Sequence, residues 1–240
     1  MSLRINDLAP NFNAFTTIGE IDFHDWIQGS WAVLFSHPKD FTPVCTTEVG
    51  AFARYEPEFR KRNCKLIGLS VDPVNSHLDW LNDVEETQGY QVGFPIIADE
   101  NLEVSMLYDM LPGDEVAGDR SPQQNATVRS VFVIDPQLSI KMLLSYPMTT
   151  GRNLDELVRV LDSLQLTANH KVATPVNWKK GEQVIIASSV SDVEAKDLFK
   201  FSKSILFSDF SFSNCKTTIS SKTILRSAFD VPARRSASSA

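Results

Sequence analysis

The sequence predicts an α/β fold, a mixed central sheet flanked by helices, with a small α+β extension domain after it. Three observations predict this. Short apolar runs alternate with segments of helical spacing from residue 31 to residue 166. Two late runs, 128–135 and 139–147, are joined by the turn pair Asp135-Pro136, which makes the sheet mixed rather than all parallel. Beyond Leu166 the texture becomes polar and rich in turn residues.

The elements follow in order. WAVLF (31–35) is an apolar run of strand length. After Cys45 the spacing of Val49, Phe52 and Phe59 among charged residues is helical, and Pro57 is expected to kink or divide that helix. KLIGLSVD (65–72) reads as the next strand. VNSHLDWLNDVEE (74–86) is helical by spacing, with Leu78, Leu81 and Val84 expected on the buried side. FPIIAD (94–99) is a strand, and NLEVSMLYDML (101–111) a helix capped by Asp99 or Asn101. The pair VRSVFVID and SIKMLLSYP comes next. NLDELVRVLDSLQL (153–166) is amphipathic, with Leu154, Leu157, Val158, Leu161 and Leu164 on one face. A strand over 183–188 and a helix over 192–199 complete a small second domain. The expected division is residues 1–166, 167–199, and a Ser-rich tail over 200–240 with little regular structure.

Composition narrows the function. The chain has 240 residues, 42% hydrophobic and 22% charged, ordinary for a globular protein. No run of about eighteen apolar residues occurs, which argues against membrane insertion. The first ten residues carry no apolar signal-peptide core. The net charge is −7, yet residues 201–240 hold six Lys/Arg against two Asp/Glu and eleven serines. The remaining body is therefore more acidic still, which argues against nucleic acid as a partner. Three cysteines at 45, 64 and 215 make no disulfide framework, no CxxC and no zinc spacing. A reducing compartment, most simply the cytoplasm, fits them.

Cys45 stands out because its surroundings, HPKDFTPVCTTE (37–48), are polar and turn-rich rather than apolar. Strand, loop and helix place its sulfur near a helix N-terminus, where free N–H groups and the dipole stabilise a thiolate. Thr42 lies three residues upstream. No strong cation is adjacent, so an arginine would have to arrive through the fold. On spacing alone, packing and nucleophilic readings both stay open. Cys64, at the mouth of a strand, reads as a packing cysteine.

HPKDFTPVCTTE resembles the active-site segment of the peroxiredoxins, Pro-x-x-x-Thr-x-x-Cys, here Pro38, Thr42 and Cys45. YPMTTGRN (146–153) and LQLT followed by HKVATPVNW (164–178) are similar to the one-Cys, peroxiredoxin-6-like subfamily. The resemblance covers residues from about 5 to 199. It implies a thioredoxin-like core with a C-terminal extension, and reduction of hydrogen peroxide and organic hydroperoxides. It implies that Cys45 is the peroxidatic thiolate, oxidised to a sulfenic acid. Thr42 would hydrogen-bond the thiolate or peroxide, and Pro38 would shield the site. Arg129 matches the family's active-site arginine, which would lower the thiol pKa and hold the peroxide. His37 and Glu48 match supporting positions, and Arg152 an arginine expected at the pocket edge or dimer interface. Where two-Cys relatives carry a resolving cysteine, this chain reads VATPVNW (172–178), so an external thiol such as glutathione or thioredoxin is implied. A homodimer is implied, and no metal or organic cofactor.

Three rival readings remain. Some one-Cys members are assigned a phospholipase site; here Ser30 and His24 match its serine and histidine. Its second glycine is Ala32 and its acid position Gln137, which disfavours a nucleophile elbow. A holdase chaperone or redox-signalling binder would need only the thiol switch. A disulfide reductase is disfavoured by the missing CxxC.

Overall fold

A seven-stranded mixed sheet organises the first part of the chain, in the order β2-β1-β5-β4-β3-β6-β7. The structure is a computed structural model and describes residues 2–113, 126–187 and 189–191, with the backbone alone at 224–226. The strands are β1 (Asn13–Thr16), β2 (Gly19–Asp22), β3 (Trp31–Ser36), β4 (Cys64–Ser70), β5 (Ile96–Ala98), β6 (Arg129–Ile134) and β7 (Ile140–Tyr146). The helices are α1 (Phe23–Ile27), α2 (Pro43–Arg60), α3 (Val74–Gln88), α4 (Glu103–Leu107) and α5 (Leu154–Asn169).

The centre of the sheet explains its sequence. β3 runs parallel to β4 and antiparallel to β6, and all six of its residues are buried. A strand covered on both faces reads as a continuous apolar run, which is what WAVLF is. β4 and β5 are parallel, whereas β6 and β7 form an antiparallel pair. Phe35 of β3 stacks on Phe52 of α2 with ring centroids 3.8 Å apart. That contact fixes α2, and everything on its first turn, against the carboxyl half of β3.

Several elements differ from the sequence reading. β1, β2 and α1 had no counterpart in it. Phe15 and Ile18 in this hairpin are largely exposed, so apolar letters fall on both sides and the alternation is blurred. α2 is one unbroken helix of 18 residues through Pro57, neither divided nor ended there. Phe52 and Phe59, both fully buried, hold it on either side of the proline. α3 buries His77, Trp80 and Val84, while Leu78 is 44% exposed. The buried face was misread because its first residue is a histidine. α4 is short. Its N-cap residue is Leu102, but the Asp99 carboxylate accepts from the N–H groups of Val104 and Ser105, at 3.0 and 2.7 Å.

The chain divides into two units, residues 1–158 and 159–240. Within the second, a three-stranded sheet has the order β10-β9-β8, from β8 (Val172–Ala173), β9 (Gln183–Ile186) and β10 (Ile224–Arg226). Val172, Trp178, Val184, Ile186 and Val190 form its core. The Trp178 indole N–H, buried with its ring, donates to the Glu182 carbonyl at 3.2 Å. The helix expected at 192–199 lies outside the described residues, as does the 200–240 tail apart from β10.

Candidate active site

The carboxyl end of β3 leads through residues 37–42 into α2. His37 is tied on both sides, its N–H to the Leu69 carbonyl at 2.9 Å and its carbonyl to the Thr127 hydroxyl at 2.8 Å. Phe41 adopts φ 54°, a left-handed conformation that a bulky residue keeps only when its neighbours enforce it. Thr42 is the extended N-cap and Pro43 the first helical residue, the position where a missing N–H leaves nothing unsatisfied. Cys45 is therefore in the first turn of α2, beside N–H groups that have no intrahelical acceptor, at the positive end of the dipole. Its side chain is wholly buried.

The cation that the local sequence lacks comes from β6. Arg129 Nη1 lies 3.5 Å from Cys45 Sγ and 2.5 Å from Glu48 Oε2. Its Nε and Nη2 both donate to the Met148 carbonyl, at 2.8 and 2.7 Å, so the guanidinium cannot swing away freely. Glu48 lies one helical turn beyond Cys45 on the same face. Arg152 closes the cluster from the other side. Its backbone N–H and Nε donate to Glu48 Oε1 at 2.7 and 2.9 Å, and its Nη2 to Oε2 at 2.8 Å. Its Nη1 donates to the carbonyls of Ser36 and Ser130. The guanidinium also lies over the rings of Phe35 and Phe52, at 5.3 and 5.5 Å. Arg152 was expected at the pocket edge or a dimer interface. It is instead buried inside this cluster, because a planar fork with five donors can satisfy a buried carboxylate and two strand carbonyls at once.

The charges decide what this cluster can do. Two buried guanidiniums face one carboxylate. Burial alone would raise the Glu48 carboxyl, but the charge and hydrogen bonds of Arg152, then the charge of Arg129, outweigh it and hold the group below its usual range. Burial lowers Arg152, and Glu48 opposes that shift. One positive charge is thus left uncompensated, and the nearest remaining group is the Cys45 sulfur. That sulfur stands where a negative charge would complete the neutralisation. Cys64 is the opposite case: burial pushes its thiol far up, and its surroundings leave it inert.

The other expected residues fall as follows. Pro38 is buried beside His37 in the loop. The Thr42 hydroxyl donates to the Lys39 carbonyl at 3.0 Å, so its proton stabilises the loop and is not aimed at the sulfur in this arrangement. Ser30 does not assemble a hydrolase. Its hydroxyl faces Asn63 Oδ1 at 3.4 Å, whereas His24 Nε2 lies 2.7 Å from the Ala9 carbonyl. The backbone N–H of Gln137 is engaged in the turn with Asp135.

Sequence reasoning missed a second buried knot, around Asp40. His37 Nε2 is 2.9 Å from Asp40 Oδ1, and His77 Nδ1 is 2.7 Å from Oδ2. Burial pushes His37 down, against the pull of Asp40. Burial would raise Asp40, but its bonds to the two imidazoles hold it well below the usual carboxylate range. With Nε2–H given to Asp40, His37 Nδ1 is a bare acceptor without a partner, buried from water. The available signal was the histidine inside the amphipathic stretch SHLDW, three residues before the buried Trp80.

Comparison with known proteins identifies the family. Residues 5–142 match the AhpC/TSA family, and residues 163–200 match the C-terminal domain of 1-Cys peroxiredoxin. The mitochondrial peroxiredoxin PRX1 of Saccharomyces cerevisiae is 54% identical over 198 residues, 82% of this chain and 76% of that protein. Peroxiredoxin-6 of Mus musculus is 50% identical over 201 residues, 82% of this chain and 88% of that protein. A cysteine-to-serine mutant of peroxiredoxin 6 of Arenicola marina superposes with a TM-score of 0.78 at 45% identity, covering 83% of this chain and 90% of that chain. Yeast mitochondrial 1-Cys peroxiredoxin, solved for its thiol resolving mechanism via glutathione/thioredoxin systems, gives a TM-score of 0.75 at 54% identity, over 81% and 92% of the two chains. No helix among the described residues is long and apolar enough to cross a membrane. Matched over most of its length to one-Cys relatives in both sequence and fold, the chain belongs to the peroxiredoxin family, among its one-Cys thiol-dependent peroxidases.

Proposed function

We propose that Cys45 is the peroxidatic residue and that Arg129 is its activating partner. The observation that carries this is the 3.5 Å contact from the Arg129 guanidinium to the sulfur, inside a buried cluster with an unbalanced positive charge. In the first step the thiolate attacks one peroxide oxygen. The S–O bond forms as the O–O bond breaks, and the leaving oxygen takes a proton to depart as water or an alcohol. Arg129 stabilises the sulfur before attack and the departing oxygen during it. Glu48 and Arg152 hold Arg129 in place, while Pro38, His37 and Thr42 shape the loop. The sulfenic acid then condenses with an external thiol, forming a mixed disulfide and releasing water. A second thiol attacks that disulfide and restores Cys45.

Glutathione and thioredoxin are the reductants we infer. The stretch VATPVNW (172–178) holds no resolving cysteine, and the yeast relative is described as resolved through those systems. A homodimer is the proposed assembly, supported by β7, an edge strand whose outer side beyond Ile140 pairs with no strand among the described residues. The division into a core to residue 166 and an extension over 167–199 is supported by two separate family matches. A reducing compartment suits this chemistry, and we place the protein in the cytoplasm; the yeast relative is named mitochondrial.

Stopped-flow mixing of the reduced protein with hydrogen peroxide, followed by tryptophan fluorescence, tests the assignment. Cys45→Ser is expected to abolish the fast phase. Arg129→Ala is expected to slow it by about 10²-fold, the loss of one preorganised donor. A sulfenic-acid trap followed by mass spectrometry should locate the oxidised sulfur at Cys45. Trapping at Cys64 or Cys215 would overturn the proposal.

A further inference from the structure

The knot around Asp40 holds one more proton than an ionised carboxylate and two neutral imidazoles would carry. His77 is wholly buried, and both of its ring nitrogens face acceptors. Nε2 lies 3.1 Å from the Ile97 carbonyl, and Nδ1 lies 2.7 Å from Asp40 Oδ2. A carbonyl only accepts, so Nε2 carries a proton. A neutral imidazole has a single N–H, so the close contact at Nδ1 needs a second proton between the ring and the carboxylate. Asp40 Oδ2 cannot draw that proton from Ser76, whose hydroxyl already donates to it at 2.9 Å. The other groups around the pair are His37 on Oδ1, and Asp72, whose Oδ2 accepts from the Asp40 N–H at 2.9 Å and from the Ser70 hydroxyl at 2.9 Å. Imidazolium and carboxylate together bury no net charge.

This pair sits where the loop needs an anchor. Asp40 immediately precedes Phe41, the left-handed residue through which the chain turns into α2. Its backbone N–H and both carboxylate oxygens are engaged. His77 carries that hold onward to β5 through Ile97 and belongs to α3 itself. Trp80, one turn further along α3, donates from Nε1 to the Thr46 hydroxyl on α2 at 3.1 Å. We propose that His77, sharing a proton with Asp40, is a positioning residue of the peroxidase reaction: it clamps residues 37–42 and so sets the first turn of α2, with Cys45, against Arg129. The proposal rests on the reading of Cys45 as the peroxidatic sulfur.

The test combines a spectroscopic signature with rates. Long-range ¹⁵N–¹H spectra of the histidine rings in the intact protein at neutral pH should show one ring with both nitrogens protonated, missing in His77→Phe. The rate of Cys45 oxidation by hydrogen peroxide should fall about tenfold in His77→Phe. His77→Asn, which restores a donor near Nδ1, should recover part of it. Asp40→Asn should fall as far as His77→Phe, and the double variant no further, because the two act as one unit. All rates are taken well below each variant's melting temperature; Asp40→Asn and the wild-type spectrum carry the test if His77→Phe does not fold. A ring at position 77 with a single proton, wild-type rates in the variants, or additive losses would each overturn the clamp. Trapping of the wild-type oxidised sulfur decides which idea has failed: at Cys45 only the clamp falls, elsewhere the site reading falls with it.

Discussion

At the scale of single residues, Glu48 is the hinge of the charge arrangement. It receives both guanidiniums. Glu48→Gln keeps the shape and removes the charge, leaving two cations buried together. The expected loss is about 3–5 kcal/mol of stability, the cost of breaking a buried ion pair from one side. Urea denaturation of the Cys45→Ser background measures it without interference from oxidation; a change below 1 kcal/mol would mean that solvent screens the cluster. Much of this site was legible in the sequence. Pro38, Thr42 and Cys45 were named through resemblance to the peroxiredoxin motif, and Arg129 through its match to that family's arginine, whereas spacing alone left Cys45 open. Arg152 was legible as a residue but not as a location, because burial of an arginine depends on acceptors contributed by Ser36 and Ser130, far off in sequence. Asp40 and His77 were not legible. Their pairing spans 37 residues and no local pattern encodes it.

At the scale of elements, α2 carries Cys45 and Glu48 and is closely packed. Gly50 faces α3 so closely that a Cβ would stand 2.4 Å from Gln88 Cγ and 2.5 Å from its Cβ. In an exposed helix, Gly→Ala adds up to about 1 kcal/mol of stability. Here the sign should reverse, and Gly50→Ala is expected to destabilise by about 1–3 kcal/mol through overpacking. A thermal melt shows which effect wins; a higher melting temperature would mean that α3 yields. The strands β3, β4, β6 and β7 and the helices α2, α3 and α5 were legible because burial on one or both faces imposes a period. Where the burial pattern departs from apolar letters, legibility fails. The β1–β2 hairpin exposes Phe15 and Ile18, and α3 buries a histidine in place of Leu78.

At the scale of the whole molecule, stability and charge both follow from buried titratable groups. His37 is lowered from 6.5, Glu48 from 4.5 and Asp40 from 3.8. Each native group binds its proton less readily than the unfolded chain does. The contribution of these three groups is therefore fully present above 6.5 and declines below it as the buried His37 imidazole resists protonation; it falls more steeply below 4.5, as the carboxylates are forced to protonate. Denaturant midpoints of His77→Phe from neutral pH to about pH 3 should trace that two-stage descent; a midpoint that rises on acidification in that variant would contradict the sign. The site is also a positive interior enclosed in a chain whose net charge is −7. The two half-reactions meet that field differently. A peroxide is neutral and crosses it without work, so the oxidation rate should be indifferent to salt. A thiolate reductant is repelled at long range before the buried cations can attract it. Added salt, with a Debye length near 8 Å at about 0.15 M, screens the repulsion more than the buried attraction. Ionic strength should therefore speed the reductive half of the cycle and leave the oxidative half untouched, so that salt alone shifts which step limits turnover.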